Sequence, residues 1–211
     1  MWSGGKDSCL ALARARREGR AVTTLVNIVD QVTGRVRFHA TPRELIQAQA
    51  VALGIALLQP ATTPDAYERT FVATLGELSR RGTRGMIFGD IHLADVRAWF
   101  EERVAAAGLE HVEPLWEQAP HTLLEEFIDA GYRAVVTCVE LAKLPASWLG
   151  RTLDESFALD LARRPDVDPC GERGEYHTFV YDGPLFLNPI AWRPGPIHEE
   201  AGFAQLELVG R

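Results

Sequence analysis

The 211-residue sequence predicts an α/β protein in two units: a parallel-sheet, Rossmann-like domain over residues 1–118, followed by a smaller α+β domain over 119–211. Three observations predict it. Short apolar runs alternate with capped helical segments as far as Trp116, and a Ser-Gly-Gly turn opens the chain just before a helix. After Trp116 strands come to dominate, and six of the 12 prolines fall between Pro165 and Pro196. Strand alternating with helix implies parallel strands joined by right-handed crossovers.

Each element has a local reason. Residues 9–17, rich in alanine, leucine and arginine, have high helix propensity. Residues 21–29, rich in valine, threonine and isoleucine, predict a buried strand. Thr41-Pro42-Arg43-Glu44 offers an N-cap, a proline for the first helical position and a capping-box glutamate, and Gly54 stops that helix. Residues 55–59 form the next strand, ended by Pro60. Thr63-Pro64 opens a helix to Gly82, and 85–88 is a strand closing on Gly89-Asp90. A helix over 93–107 stops at Gly108, and 111–116 is a strand interrupted by Pro114. Beyond it come a helix at 122–130, an apolar strand at 132–139, a helix at 153–163, and strands from Glu175 onward.

Composition narrows the function. With 46% hydrophobic and 24% charged residues the chain is globular, neither disordered nor collagen-like. It has no apolar run of 18 residues for a membrane span and no signal-peptide pattern. Cys9, Cys138 and Cys170 describe neither a disulfide framework nor a zinc site, so a cytoplasmic location is expected. The net charge of −7 repels polyanions on average, and a nucleic-acid partner is not expected.

The opening turn carries the strongest chemistry. Ser3, Gly4, Gly5, Lys6, Asp7 and Ser8, followed by a helix, gather backbone N–H groups around one point where the helix dipole favours an anion. Phosphate is the expected occupant. Asp7 stands where a Walker loop places its magnesium-binding hydroxyl, so this is a different loop. Only Met1 and Trp2 precede Ser3, although a strand should lead into the turn. Either about six residues of first strand lie upstream of an internal start, which is the expectation, or the sheet tolerates a stub in a central position.

Two further signatures follow. Asp90 ends a strand of the parallel sheet, the edge at which such sheets bind ligands. It fits either a Mg²⁺ ligand or nucleophile-orienting group, or a plain helix cap. Asn27, at the end of an earlier strand, is a candidate for nucleotide contact. In Asp168–Thr178 two glycines, Gly171 and Gly174, allow a turn that gathers Glu172, Glu175 and His177, with Tyr176 and Thr178 alternating to the other face. Such a group suits an ammonium, a cation or proton transfer; a solvated acidic hairpin is the bland reading. Arg151, after Gly150, suits a phosphate or an acidic partner. Trp99, Trp116, Trp148 and Trp192 suit core or interface packing. His39, His92, His111, His121 and His198 lack metal-ligand spacing.

The loop Ser3–Ser8 resembles the pyrophosphate loop of ATP pyrophosphatases. Together with Gly89-Asp90-Ile91, Pro114-Leu115-Trp116, Leu149-Gly150-Arg151 and Cys170-Gly-Glu-Arg-Gly-Glu-Tyr-His-Thr, it is similar to the diphthine–ammonia ligase family, from Trp2 to about Phe186. That resemblance implies an adenine nucleotide alpha hydrolase-like first domain, ATP and Mg²⁺ as cofactors, and an active site between the two units. It also implies that a substrate carboxylate is adenylated with release of pyrophosphate, and that ammonia then displaces AMP.

Ser3 to Ser8 and Asn27 are the expected ATP-binding residues, and Lys6, Asp90, Glu172, Glu175 and His177 the expected catalytic ones. Arg151, Gly171, Gly174, Tyr176 and Thr178 are expected to face the acceptor. The acceptor is a carboxylate on a protein, elongation factor 2 in archaeal and eukaryotic members, or on a small molecule. Homo-oligomerisation is left open. A tRNA-modifying enzyme of the same loop class is disfavoured by charge and by the separated cysteines. A non-catalytic ATP-binding regulator remains the other class.

Overall fold

The computed structural model describes residues 1–36 and 41–210. Its first helix, α1 (Lys6–Arg17), begins three residues earlier than propensity indicates, because the turn itself supplies the first helical residues. The strand expected over 21–29 is broken into β1 (Thr24–Val26) and β2 (Val29–Asp30). The break comes at Asn27, whose side chain is drawn into buried hydrogen bonds with Trp2 and Gln59.

Helix α2 (Arg43–Leu53) takes Pro42 rather than Thr41 as its N-cap and makes no side-chain cap bond. It ends on Gly54 in the left-handed region, φ 64°, where glycine is the least strained residue. Strands β3 (Ala56–Leu58) and β4 (Ala61–Thr62) follow, then a single 3₁₀ turn at Pro64–Ala66 and α3 (Tyr67–Arg80). Next come β5 (Gly85–Ile87), α4 (Ala94–Ala106) and β6 (Glu110–Val112). The strand expected to reach Trp116 stops at Val112. Pro114 has no N–H for a ladder, and residues 114–117 form a turn.

Among the described residues the first unit has three parallel strand pairs: β1 with β3, β2 with β4, and β5 with β6. Parallel pairing with helical crossovers is what the alternating pattern predicts. The second unit opens with α5 (Pro120–Asp129) and β7 (Arg133–Glu140). Helix α6 (Glu155–Leu161) is shorter than expected, because Asp154 caps it by accepting from the Phe157 amide at 2.8 Å. Strands β8 (Tyr176–Asp182), β9 (Trp192–Glu200) and β10 (Phe203–Gly210) complete an antiparallel sheet in the order β8-β7-β10-β9.

The main apolar core crosses both units: Trp2, Cys9 and Leu12 share it with Phe127, Val135 and Phe179. Burying each large side chain of this kind stabilises by about 1.5–3 kcal/mol, so the two units are joined by apolar burial along α1. A second core, around Phe71, Leu75, Phe88 and Val104, lies among the parallel pairs, α3 and α4. No helix among the described residues is long and apolar enough to cross a membrane.

Candidate active site

The opening turn is fixed before any ligand enters. Gly4 adopts φ 84°, and a Cβ there would sit 2.5 Å from Ile46 Cδ1 and 2.7 Å from Gln49 Oε1, so only glycine fits. The buried Gln49 amide donates to the Gly4 carbonyl at 2.9 Å and to the Val180 carbonyl at 2.7 Å, and accepts from the Trp2 indole at 2.8 Å. Ser3 Oγ lies 3.1 Å from Ser8 Oγ and accepts from the Gly5 amide at 3.2 Å. The Lys6 amide donates to Thr178 Oγ1 at 3.1 Å, which ties the first turn of α1 to β8.

Gly89 permits the closest approach between the two signatures of the first unit. A Cβ there would lie 2.9 Å from the Asp7 carbonyl carbon. The β5 loop thereby lies against the amino end of α1, and Ser3, Asp7, Ser8, Gly89 and Asp90 line one cavity of about 670 Å³. Across it stand Gly171, Glu172 and His177 from the second unit. Ile28, Tyr67, Phe88, Trp99 and Phe100 give the cavity an apolar, aromatic wall, with Asn27 and Asp95 also lining it.

Electrostatics divide the predicted residues into two groups. Burial pushes the Glu172 carboxyl up to about 7, opposed by the Ile91 amide that donates to it at 2.8 Å. Burial likewise raises Asp7, against the pull of Lys6, and raises Asp90. His177 is pushed down to about 4 by burial and then by Lys6, so its ring is neutral at pH 7. These groups face the cavity with proton affinities altered by their surroundings.

The other group is turned inward. Lys6 is buried, its ammonium donating to Asp7 at 2.9 Å and to the Cys170 carbonyl, 4.9 Å from the Tyr176 ring centre. Burial opposes its charge, yet Asp7 and its other neighbours hold its pKa above the usual lysine value. Lys6 thus clasps the second unit's turn instead of reaching into the cavity. Both Glu175 oxygens accept backbone amides, from Asp168 and Arg173, each at 3.0 Å, and the residue is buried. Tyr176 donates to the Pro169 carbonyl at 2.6 Å. Glu175, Tyr176 and Thr178 therefore shape the turn, and the gathering of Glu172, Glu175 and His177 around one ligand is corrected to Glu172 and His177.

Four further positions, Arg151, Gly171, Gly174 and Asn27, are set by contacts of their own. Arg151 pairs with Asp160 at 2.9 Å and stacks over Trp148 at 4.6 Å, lining a separate cavity of about 460 Å³. It chose the acidic partner, and the structure does not bring it to Asp90 or Glu172. Gly174, φ 93°, turns the hairpin with open space beside it, whereas Gly171, φ 66°, packs against Tyr176. Asn27 lines the cavity, but its amide donates to the Trp2 carbonyl at 2.9 Å and accepts from Gln59 at 3.0 Å.

Trp99 does more than the packing expected of it. It does contact Phe71 and Phe100 in the core, and it also faces the cavity beside Tyr67. Their tyrosine-to-tryptophan spacing along two different helices gave no local signal. His39 lies outside the described residues.

Fold and site together define a parallel α/β protein whose glycine-rich loop opens onto a cleft closed by a second, antiparallel unit. Residues 1–111 match the diphthamide synthase N-terminal domain, and residues 119–203 match the diphthamide synthase C-terminal domain. The chain belongs to the diphthamide synthase family. Among its relatives, the diphthine–ammonia ligase of Rattus norvegicus is 28% identical over 234 residues, spanning 98% of this chain and 87% of that protein. The mouse diphthine–ammonia ligase is 29% identical over 89% of this chain and 79% of its own length. The human one is 28% identical with the same coverage.

Proposed function

We propose that the chain is an ATP-dependent carboxylate–ammonia ligase that forms AMP, with ATP bound in the 670 Å³ cavity. The observation that carries this is the meeting of the loop at the amino end of α1 with Asp90, Glu172 and His177 beside an aromatic wall. Phosphates fit the polar end, where the loop amides and the helix dipole favour anions. The base fits against Tyr67, Phe88 and Trp99.

The first step forms a bond from an acceptor carboxylate oxygen to the α-phosphorus and breaks the bond to pyrophosphate. The second forms a carbon–nitrogen bond from ammonia to the acyl-adenylate and releases AMP. Two protons leave as ammonium becomes the amide nitrogen, one when ammonia is freed and one after it attacks; Glu172, with its carboxyl near 7, is suited to take one, and the other passes to water. His177 enters as a neutral hydrogen-bonding group. The unit over 119–211 supplies the acceptor face, and the acceptor is the carboxylate of diphthine on elongation factor 2 or a related carboxylate.

Mg²⁺ suits this site by donor type. Asp7, Asp90 and Glu172 offer carboxylate oxygens only, and burial holds all three above the ordinary carboxylate range. Among the described residues no three His, Cys, Asp or Glu side chains form a ready metal cage, so nucleotide phosphates would complete the shell. Bound there, Mg²⁺ would neutralise phosphate charge. Lys6, held inward, has a positioning role, fixing Cys170 and the second unit's turn over the loop.

Incubation with ATP, ammonium chloride and diphthine-bearing elongation factor 2, scored for nucleotide products and amide, tests the reading. Equimolar AMP, pyrophosphate and amide are expected. ADP as the product, or AMP release that is indifferent to both acceptor and ammonium, overturns it.

A further inference from the structure

Helix α4 brings Asp95, Val96, Trp99 and Phe100 to the cavity, yet its one fully buried residue is Val104, in its last turn. Rings hold part of the cavity-facing half, Trp99 against Phe71 and Phe100 against Phe88. Arg97 holds the rest. Its Nε lies 3.1 Å from Glu113 Oε2, and its guanidinium lies over the Trp116 ring at 4.4 Å.

Glu113 directly follows β6, so it stands at the carboxyl end of a strand paired in parallel with β5, beside the edge that carries Asp90. Its side chain is 2% exposed, and its other oxygen lies 3.4 Å from His111 Nε2. Among the described residues, the buried side-chain nitrogens and oxygens that make no hydrogen bond all belong to this cluster: Arg97 Nε, His111 Nε2 and both Glu113 oxygens. An ion pair buried on these terms adds little stability, because desolvation offsets the Coulombic attraction. What it supplies is direction. Paired charges fix the register of the elements they join, whereas apolar contact is non-directional.

The same cluster reaches the reacting end of the cavity through one turn. The Trp116 amide donates to the Glu113 carbonyl at 3.2 Å, and the Glu117 amide donates to the Ile91 carbonyl at 2.8 Å. The Ile91 amide in turn donates to Glu172 at 2.8 Å. Arg97 therefore joins the helix that bears the aromatic wall to the turn that holds Glu172 in place.

We propose that Arg97 and Glu113 are positioning residues, a latch that sets the aromatic wall of α4 in register with Glu172. Neither is among the residues that line the cavity. With the latch open, the first turns of α4 lose their fixed distance from the glycine loop, so base and phosphates are no longer held at once. The positioning role rests on the reading of this cavity as the ATP site; the latch itself does not.

Amide exchange in the nucleotide-free protein tests the latch alone. Arg97→Met should speed exchange at residues 98–100 of α4 by ~10-fold or more and leave β7 unchanged. ATP titration and steady-state kinetics test the positioning. Arg97→Met and Glu113→Leu should each raise Kd and KM for ATP by ~10-fold, with kcat at saturating ATP within ~2-fold of wild type. The double variant should melt at or above either single one yet bind ATP no better, because an apolar pair restores burial without direction. Glu113→Gln keeps an oxygen that accepts from Arg97 and should hold KM within ~2-fold of wild type. Unchanged exchange in Arg97→Met, ATP affinity within ~2-fold of wild type in both single variants, or Kd effects that multiply in the double variant overturns the proposal. A wild-type chain that binds no ATP overturns the reading of the cavity, while the exchange result still decides the latch.

Discussion

The opening loop and the Asp168–Thr178 turn bring charged residues to the same cleft, yet use them differently. In the loop, the Gly5 and Lys6 amides are held by Ser3 and Thr178 hydroxyls, Ser3, Asp7 and Ser8 line the cavity, and the one lysine is drawn away into a buried clasp. In the turn, one glutamate is consumed by two backbone amides and the other faces the cavity. Two glutamates three residues apart look equivalent in sequence. Their burial and partners make one a scaffold and the other a reactive group.

The sharpest way to break the comparison is at Gly4. Gly4→Ala forces a Cβ into Ile46 and Gln49 at a left-handed φ, and should destabilise the fold by about 4 kcal/mol and abolish ATP binding. Urea unfolding and nucleotide titration measure both. Next comes the pair of glutamates. Glu175→Ala should lower stability by about 3 kcal/mol, because it strands two buried amides. Glu172→Gln should leave the urea midpoint near wild type while kcat for amidation falls ~100-fold or more. Equal effects of the two substitutions on both readouts would erase the distinction.

A pH series sharpens it further. Glu172 accepts a proton only as carboxylate, so with free ammonia held constant, amidation should rise as pH passes about 7 and then level off. Glu172→Gln should flatten that limb.

A related sign applies behind Asp90. There, burial and then Asp90 push Glu113 up to about 7, with Arg97 3.1 Å away. A carboxyl raised from its ordinary value contributes stability at pH 4 that is lost as pH rises through about 7. Glu113→Gln should therefore gain stability relative to wild type between pH 5 and pH 8, as urea midpoints would show. The smallest effect belongs to Arg151→Ala. With its ion pair to Asp160 partly exposed, it should cost about 1 kcal/mol and change ATP affinity less than ~2-fold.

Local signals carried the first unit's architecture. Gly54 stopped α2 where expected, and alternating strands and helices produced parallel pairs. Boundaries failed where a side chain or a missing N–H overrode propensity, at Asn27 and Pro114. The sheet order β8-β7-β10-β9 depends on pairings between distant strands, which periodicity does not encode. At the site, the Ser3–Ser8 loop, Asp90, Glu172 and His177 were legible because glycine turns and strand ends mark ligand edges. The fates of Lys6 and Glu175 were not, since burial and backbone partners decide them. The aromatic wall needed α3 and α4 to be packed side by side before it existed at all.

Gln49 has a consequence for how the protein comes alive. One carboxamide on α2 holds the second residue of the chain, the glycine turn and a carbonyl on β8, so the phosphate cradle takes shape only once the late-synthesised half has docked. A polypeptide released near residue 118 would carry every letter of the loop signature and still lack two of its anchors, Thr178 and Val180. The loop's full set of hydrogen bonds therefore exists only in a chain that includes β8.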